Sequence, residues 1–180
     1  MKKLIGLLIL IVVAVLAYRQ FLTAEPLQTY YFKTIPVSIA TRPDVNVESK
    51  VTEEMTFELA SSGAKDKVVL TGLVLDTVVE DMTQQSIEEL DQEDFYELIS
   101  KMDKRLANDS VSLIERGFVE QAGQRGYRVV FNLNNKGKEM IMEQRMFVYQ
   151  AHMLLLMTMH QGGLGDEKTA EAFFDSLAFL

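Results

Sequence analysis

The 180-residue chain contains no cysteine. That excludes disulfides, thiolate metal sites and the acylated cysteine of a lipoprotein, and a body of this size builds a core without such staples. Basic charge is scarce as well: 18 Lys and Arg stand against 26 Asp and Glu, a net charge of −8. Lys2, Lys3 and Arg19 precede Glu25, whereas every acidic residue lies from Glu25 onward. A body so acidic repels nucleic acid and anionic lipid, so no nucleic-acid partner is expected, and the surplus keeps the domain soluble. His152 and His160 are the only histidines. No Gly-x-Ser-x-Gly elbow, internal repeat or disordered linker is present.

Long apolar runs are confined to one place. Met1-Lys2-Lys3 is followed by an unbroken stretch from Leu4 to Tyr18 rich in Leu, Ile and Val. Inserting it into a bilayer is favourable by about 5 kcal/mol on the translocon scale. As a helix it spans about 22 Å, against about 30 Å of hydrocarbon. That is short for a permanent span and suited to a signal-peptide core. Val15-Leu16-Ala17 offers a small-residue cleavage site. If Arg19 snorkels, Phe21 and Leu22 extend the apolar segment towards full thickness. Residues 1–24 therefore read as a retained signal anchor meeting the lipid bilayer through residues 4–22, or as a signal peptide cleaved after Ala17. In either case the body, residues 25–180, faces the periplasm or the exterior.

Within that body, Thr29-Tyr30-Tyr31-Phe32 is β-prone, and Val37-Ser38-Ile39-Ala40 between Pro36 and Pro43 is a first pairing segment or edge strand. From Val47 to Leu59 apolar and charged residues alternate, predicting one strand with Glu48, Lys50, Glu54 and Glu58 on a wet face. Residues 67–79 are apolar on both faces, as a central strand requires. A long amphipathic helix is expected over 86–107, with Ile87, Leu90, Phe95, Leu98, Ile99, Met102 and Leu106 at three- and four-residue steps. Residues 111–120 and 127–133 read as a hairpin around Ala122-Gly123-Gln124-Arg125-Gly126. Asn134-Asn135-Lys136-Gly137 turns into a strand over 139–149, and 153–159 forms the next. Asp166 is expected to cap a last helix with Ala170, Phe173, Phe174 and Leu177 as its apolar stripe. Runs of strands with short turns imply an α+β fold, an antiparallel sheet flanked by helices, preceded by the N-terminal hydrophobic helix.

The C-terminal third carries a resemblance. Gly126-Tyr127-Arg128-Val129-Val130-Phe131, Gln144-Arg145-Met146-Phe147-Val148-Tyr149, Met153-Leu154-Leu155-Leu156-Met157 and Ala170-Glu171-Ala172-Phe173-Phe174-Asp175-Ser176-Leu177 together resemble the ending of PsbP-like and DcrB-like domains. Leu177 replaces the family's final Phe, and the match covers about residues 111–180. The resemblance implies an α/β/α sandwich, a binding or assembly role in the envelope or thylakoid lumen, no transferable catalytic set, and a structural, hydrogen-bonding part for Ser176.

Several patterns with the residue types of chemical sites are weak. Glu88-Glu89-Leu90-Asp91-Gln92-Glu93-Asp94 lacks the glycine and ligand spacing of a calcium loop, and reads as a solvated helix face. His152 and His160 lie about 27 Å apart on an extended strand, too far to share a metal. Gly162-Gly163-Leu164-Gly165 lacks the lysine of a nucleotide loop and reads as a connection. Met140, Met142, Met146, Met153, Met157 and Met159 suit core packing first, an adaptable docking surface second, and soft Cu(I) third. No catalytic, cofactor-binding or metal-ligating residue is therefore assigned, and no cofactor is expected. The expected function is that of a non-enzymatic, membrane-tethered binding or assembly module exposed outside the cytoplasmic membrane, with an unidentified envelope protein as partner. The alternative is a periplasmic carrier of a small apolar ligand or lipid, with a cavity between the long helix and the sheet.

Overall fold

Strand formation in this body follows from β-branched, aromatic and aliphatic side chains set two apart, and the resulting pairings are almost entirely antiparallel hairpins. The computed structural model describes residues 26–51, 56–63, 68–76, 111–135, 137–150 and 152–180. The expected leader over 1–24 and the long helix over 86–107 lie outside the described residues. Among the described residues no helix is long and apolar enough to cross a membrane.

The strands are β1 (Gln28–Tyr31), β2 (Val37–Thr41), β3 (Asn46–Val51), β4 (Thr56–Ser62), β5 (Val69–Asp76), β6 (Val111–Gln121), β7 (Gln124–Asn135), β8 (Lys138–Tyr149), β9 (His152–His160) and β10 (Ala178–Phe179). One helix, α1 (Leu164–Asp175), separates β9 from β10. The main sheet has seven strands in the order β3-β4-β5-β9-β8-β7-β6, and a small three-stranded sheet has the order β1-β2-β10. This corrects the expected fold class. Strand makes up 68% of the described residues and helix 11%, so they form a mostly antiparallel β-structure with a single helix and not a helix-flanked α/β/α sandwich. Among the described residues, β1, β2 and β10 share with α1 the covering of one sheet face, a role expected of helices alone.

The small sheet and α1 pack on the same face of the main sheet. Their shared core joins Phe32, Val37 and Ile39 to Phe173, Phe174 and Leu177, over Leu70, Val74, Leu154 and Leu156 of β5 and β9. Close approach depends on Gly72: a Cβ there would stand 2.5 Å from Ile39 Cδ1 and 2.8 Å from Phe32 Cζ. The opposite face holds a second cluster of Tyr127, Val129, Phe131, Met146 and Val148.

Three local expectations need correction. The single strand foreseen over Val47–Leu59 is two strands, β3 and β4, paired antiparallel with Ser49 opposite Glu58. Its foreseen wet face is inverted in β4, where Glu58 is only 2% exposed while Phe57 and Leu59 are half-buried. The β6–β7 turn is tighter than foreseen: Ala122 (φ 50) and Gly123 (φ 76) alone make it, the two-residue geometry that matches strand twist. Gly126 belongs to β7, where a Cβ would meet Met146 O and the Phe147 ring at 2.5 Å. Asp166 does not cap α1, since the N-cap is Gly163 without a side-chain bond. Asp166 and Glu167 lie in the first turn, where negative charge favours the helix dipole.

Candidate functional site beneath the last helix

Register alone brings polar residues together on the α1 side of the sheet. In β7, β8 and β9, Val130 pairs with Glu143 and Glu143 with Thr158; one step along, Asn132 pairs with Ile141 and Ile141 with His160. Arg128 and Arg145 are likewise directly opposed. Directly paired residues share a face, and so do residues two apart, so these side chains line one surface beside the apolar core. From above, Glu167, Ala170, Glu171 and Phe174 descend at helical spacing. Between helix and sheet lies a cavity of about 300 Å³ with Arg128, Glu143, Arg145, Thr158 and His160 in its wall and Ile114 at its edge.

Its charges are arranged around Glu143. Arg128 forks onto both Glu143 oxygens, Nε to Oε1 at 2.8 Å and Nη2 to Oε2 at 3.0 Å. Arg128 Nη1 also reaches Glu115 Oε2 at 2.8 Å. Arg145 Nε donates to Glu143 Oε1 at 2.8 Å, and its Nη1 donates to Gln121 Oε1 at 2.8 Å. The Arg145 guanidinium also sits 4.0 Å over the Phe174 ring, tying the sheet to α1. Gln121 Nε2 donates to Phe174 O, a further tie. Burial pushes the Glu143 carboxyl upward, but its bonds to Arg128 and Arg145 outweigh that and hold it below the usual range. Those bonds in turn push the Arg128 guanidinium further up.

Two groups distinguish the cavity floor. Thr158 is fully buried, and its Oγ1 has no hydrogen-bond partner. A buried hydroxyl in that state costs about 1–3 kcal/mol. His160 is 6% exposed and accepts from Gly162 N at Nδ1 over 3.1 Å, which places the proton of the neutral ring on Nε2.

A second buried carboxylate offers a contrast. Glu58 accepts from Tyr30 OH at 2.5 Å, Lys33 N at 2.8 Å, Thr34 N at 3.0 Å and Thr34 Oγ1 at 2.7 Å. Burial again works upward on the Glu58 carboxyl, and these donors more than offset it, leaving it below the ordinary carboxylate value. Burial, then the bond to Glu58, pushes the Tyr30 phenol up.

The patterns weighed from sequence fall as follows. The acidic stretch 88–94 lies outside the described residues. His152 and His160 sit at opposite ends of β9, and His152 Nδ1 donates to Gln150 O at 2.8 Å. Among the described residues no group of three His, Asp or Glu could hold a metal. Gly162 (φ 88) and Gly163 (φ 131) form the connection into α1. The methionines of β8 and β9 all lie on the face opposite α1, with Met142 opposite Met159 and Met153 opposite Val148. Met146 is buried there, and the Gln144 amide lies 3.7 Å from both Met142 Sδ and Met157 Sδ. Ser176 hydrogen-bonds at the helix end: its Oγ donates to Phe173 O at 2.5 Å and accepts from Ala40 N at 2.6 Å.

No family model matches the chain, and no curated protein does. Solved structures do. The solution structure of cyanobacterial PsbP (CyanoP) from Synechocystis aligns over 86% of this chain and 92% of its own, with TM-score 0.54 and 11% identity. LpqN of Mycobacterium tuberculosis, described as involved in cell envelope biogenesis, aligns over 88% and 80% at TM-score 0.42 and 9% identity. PA94 of Pseudomonas aeruginosa, of unknown function and described as a putative regulator, aligns over 76% and 83% at TM-score 0.41 and 6% identity. The likeness to PsbP is one of fold alone.

Sequence reasoning missed Arg128, Glu143, Arg145 and Thr158 as a set. The available signal was polarity at positions of β7, β8 and β9 that share one parity with core residues such as Val130, Phe147 and Leu156.

Proposed function

We propose that the protein is a non-enzymatic binding module of the PsbP-like kind, placed outside the cytoplasmic membrane by its apolar N-terminal segment, with the cavity beneath α1 as its binding site. One observation carries the reading: a recess of about 300 Å³ whose walls are held rigid by an ion network, yet whose floor keeps a buried hydroxyl without a partner. Rigid surroundings around an unsatisfied group are the signature of preorganisation for something that binds. The size sits at the lower end of ligand pockets, about 300–1,000 Å³. Charged walls favour a polar occupant over the lipid or apolar ligand of the alternative reading. Tethering would raise the local concentration of the domain near envelope partners.

The test has two arms. Alkaline phosphatase fused after Leu180 should be active, reporting export. A photocrosslinking residue replacing Ile114 at the cavity edge should capture an adduct in intact cells, while one replacing exposed Lys50 on β3 should not. An inactive phosphatase fusion overturns the location. Equal labelling at both positions overturns the site.

A further inference from the structure

The geometry points to an alkylammonium group as the occupant of the cavity: the head of a free amine or of a lysine side chain, with its aliphatic stem along the apolar wall. The inference rests on the reading of this recess as a binding site and adds the chemistry of what enters it. Four observations carry it. First, both cations of the site are already engaged. Arg128 is held by Glu143 and Glu115, and Arg145 by Glu143, Gln121 and the Phe174 ring. Each guanidinium thus already faces a carboxylate, which offsets its charge before any anion arrives. Second, the charges left over are negative. Glu167 and Glu171, one helical turn apart on α1, line the cavity beyond the Arg–Glu network. The partial positive charge at the start of α1, about half an elementary charge, does not cancel two carboxylates. Third, Thr158 Oγ1 in the cavity floor has no partner and is sealed from solvent; an ammonium that enters with a small shift of the floor supplies the donors its lone pairs lack. Fourth, Ile114, Val130, Ile141 and Ala170 add an apolar lining suited to a methylene chain, as lysine stems are accommodated elsewhere.

The full chain in detergent micelles should be titrated with cadaverine and with Nα-acetyl-lysine N-methylamide, following the Thr158 methyl and His160 ring NMR signals. The expected result is saturable perturbation of both signals by at least one amine. A free diamine as source predicts tighter binding of cadaverine; a partner's lysine predicts tighter binding of the lysine derivative. Two controls, glutarate and the Nε-acetylated lysine derivative, should leave the signals unmoved. Replacing Glu167→Gln together with Glu171→Gln should weaken amine binding by about tenfold, in keeping with hydrogen bonds to charged groups. Thr158→Val should weaken it too, and Thr158→Ser should restore it, with urea midpoints confirming that each variant folds. Binding of glutarate, or equal binding of the Nε-acetylated derivative, overturns the ammonium assignment while leaving a binding site in place. Silence of both signals towards all probes overturns the assignment and the cavity as a binding site together.

Discussion

Glu58 and Glu143 are both carboxylates drawn into the protein by β-strands, and they end in opposite situations. Glu58 is closed over by neutral donors from the β1–β2 segment, every bond is made, and solvent is shut out. Glu143 is held by two arginines beside a recess, with 15% of its side chain exposed. The first arrangement locks one layer onto another. The second fixes a wall and leaves neighbouring groups unsatisfied. Neutral donors around a sealed carboxylate, and charged donors around one that water still reaches, thus set the two places apart.

Substitutions can sharpen that contrast. Glu58→Gln should have the largest effect, because an amide cannot accept from four donors and presents two of its own. A loss of about 3 kcal/mol is expected in urea unfolding. The same carboxylate gives a pH signature. Its folded pKa lies below the ordinary 4.5, so its stabilisation is complete above that value and is lost as pH falls through the depressed folded pKa. The stability gap between wild type and Glu58→Gln should therefore be flat near neutrality and shrink on acidification; a gap that widens in acid would sink the assignment. Glu143→Gln comes next. It leaves Arg128 with exposed Glu115 and Arg145 with Gln121, for a cost of about 1–2 kcal/mol, smaller because water reaches the site. Thr158→Val should have the least effect and of opposite sign, a gain of up to about 1 kcal/mol, because an isosteric methyl replaces a hydroxyl that has no partner. A loss of stability there would mean that the hydroxyl is satisfied in solution.

How much of this was legible beforehand differs by scale. Strand identity was readable wherever alternation ran against apolar neighbours, as in β7 and β9, and the Phe173–Phe174 pair correctly marked the buried face of α1. The inverted face of β4 was not readable. A glutamate alternating with Phe57 and Leu59 looks solvated, and only Tyr30, Lys33 and Thr34, brought from more than twenty positions away, make its burial affordable. The site was hidden for a related reason. Arg128, Glu143 and Thr158 are joined by strand register, and no spacing along the chain encodes that adjacency. The helix-rich sandwich was over-read because an apolar sheet face states that it must be covered without stating by what.

Ser176 and β10 bind β2 across the longest sequence separations among the described residues: the Ala40 N–H meets Ser176 Oγ at a sequence separation of 136, and Leu180 N donates to Pro36 O at 2.8 Å. During synthesis β2 is therefore made more than 130 residues before the segment that seals its edge. Closing so long a loop is slow. A polypeptide that postpones this seam leaves the flank of β2 open until β10 has been made.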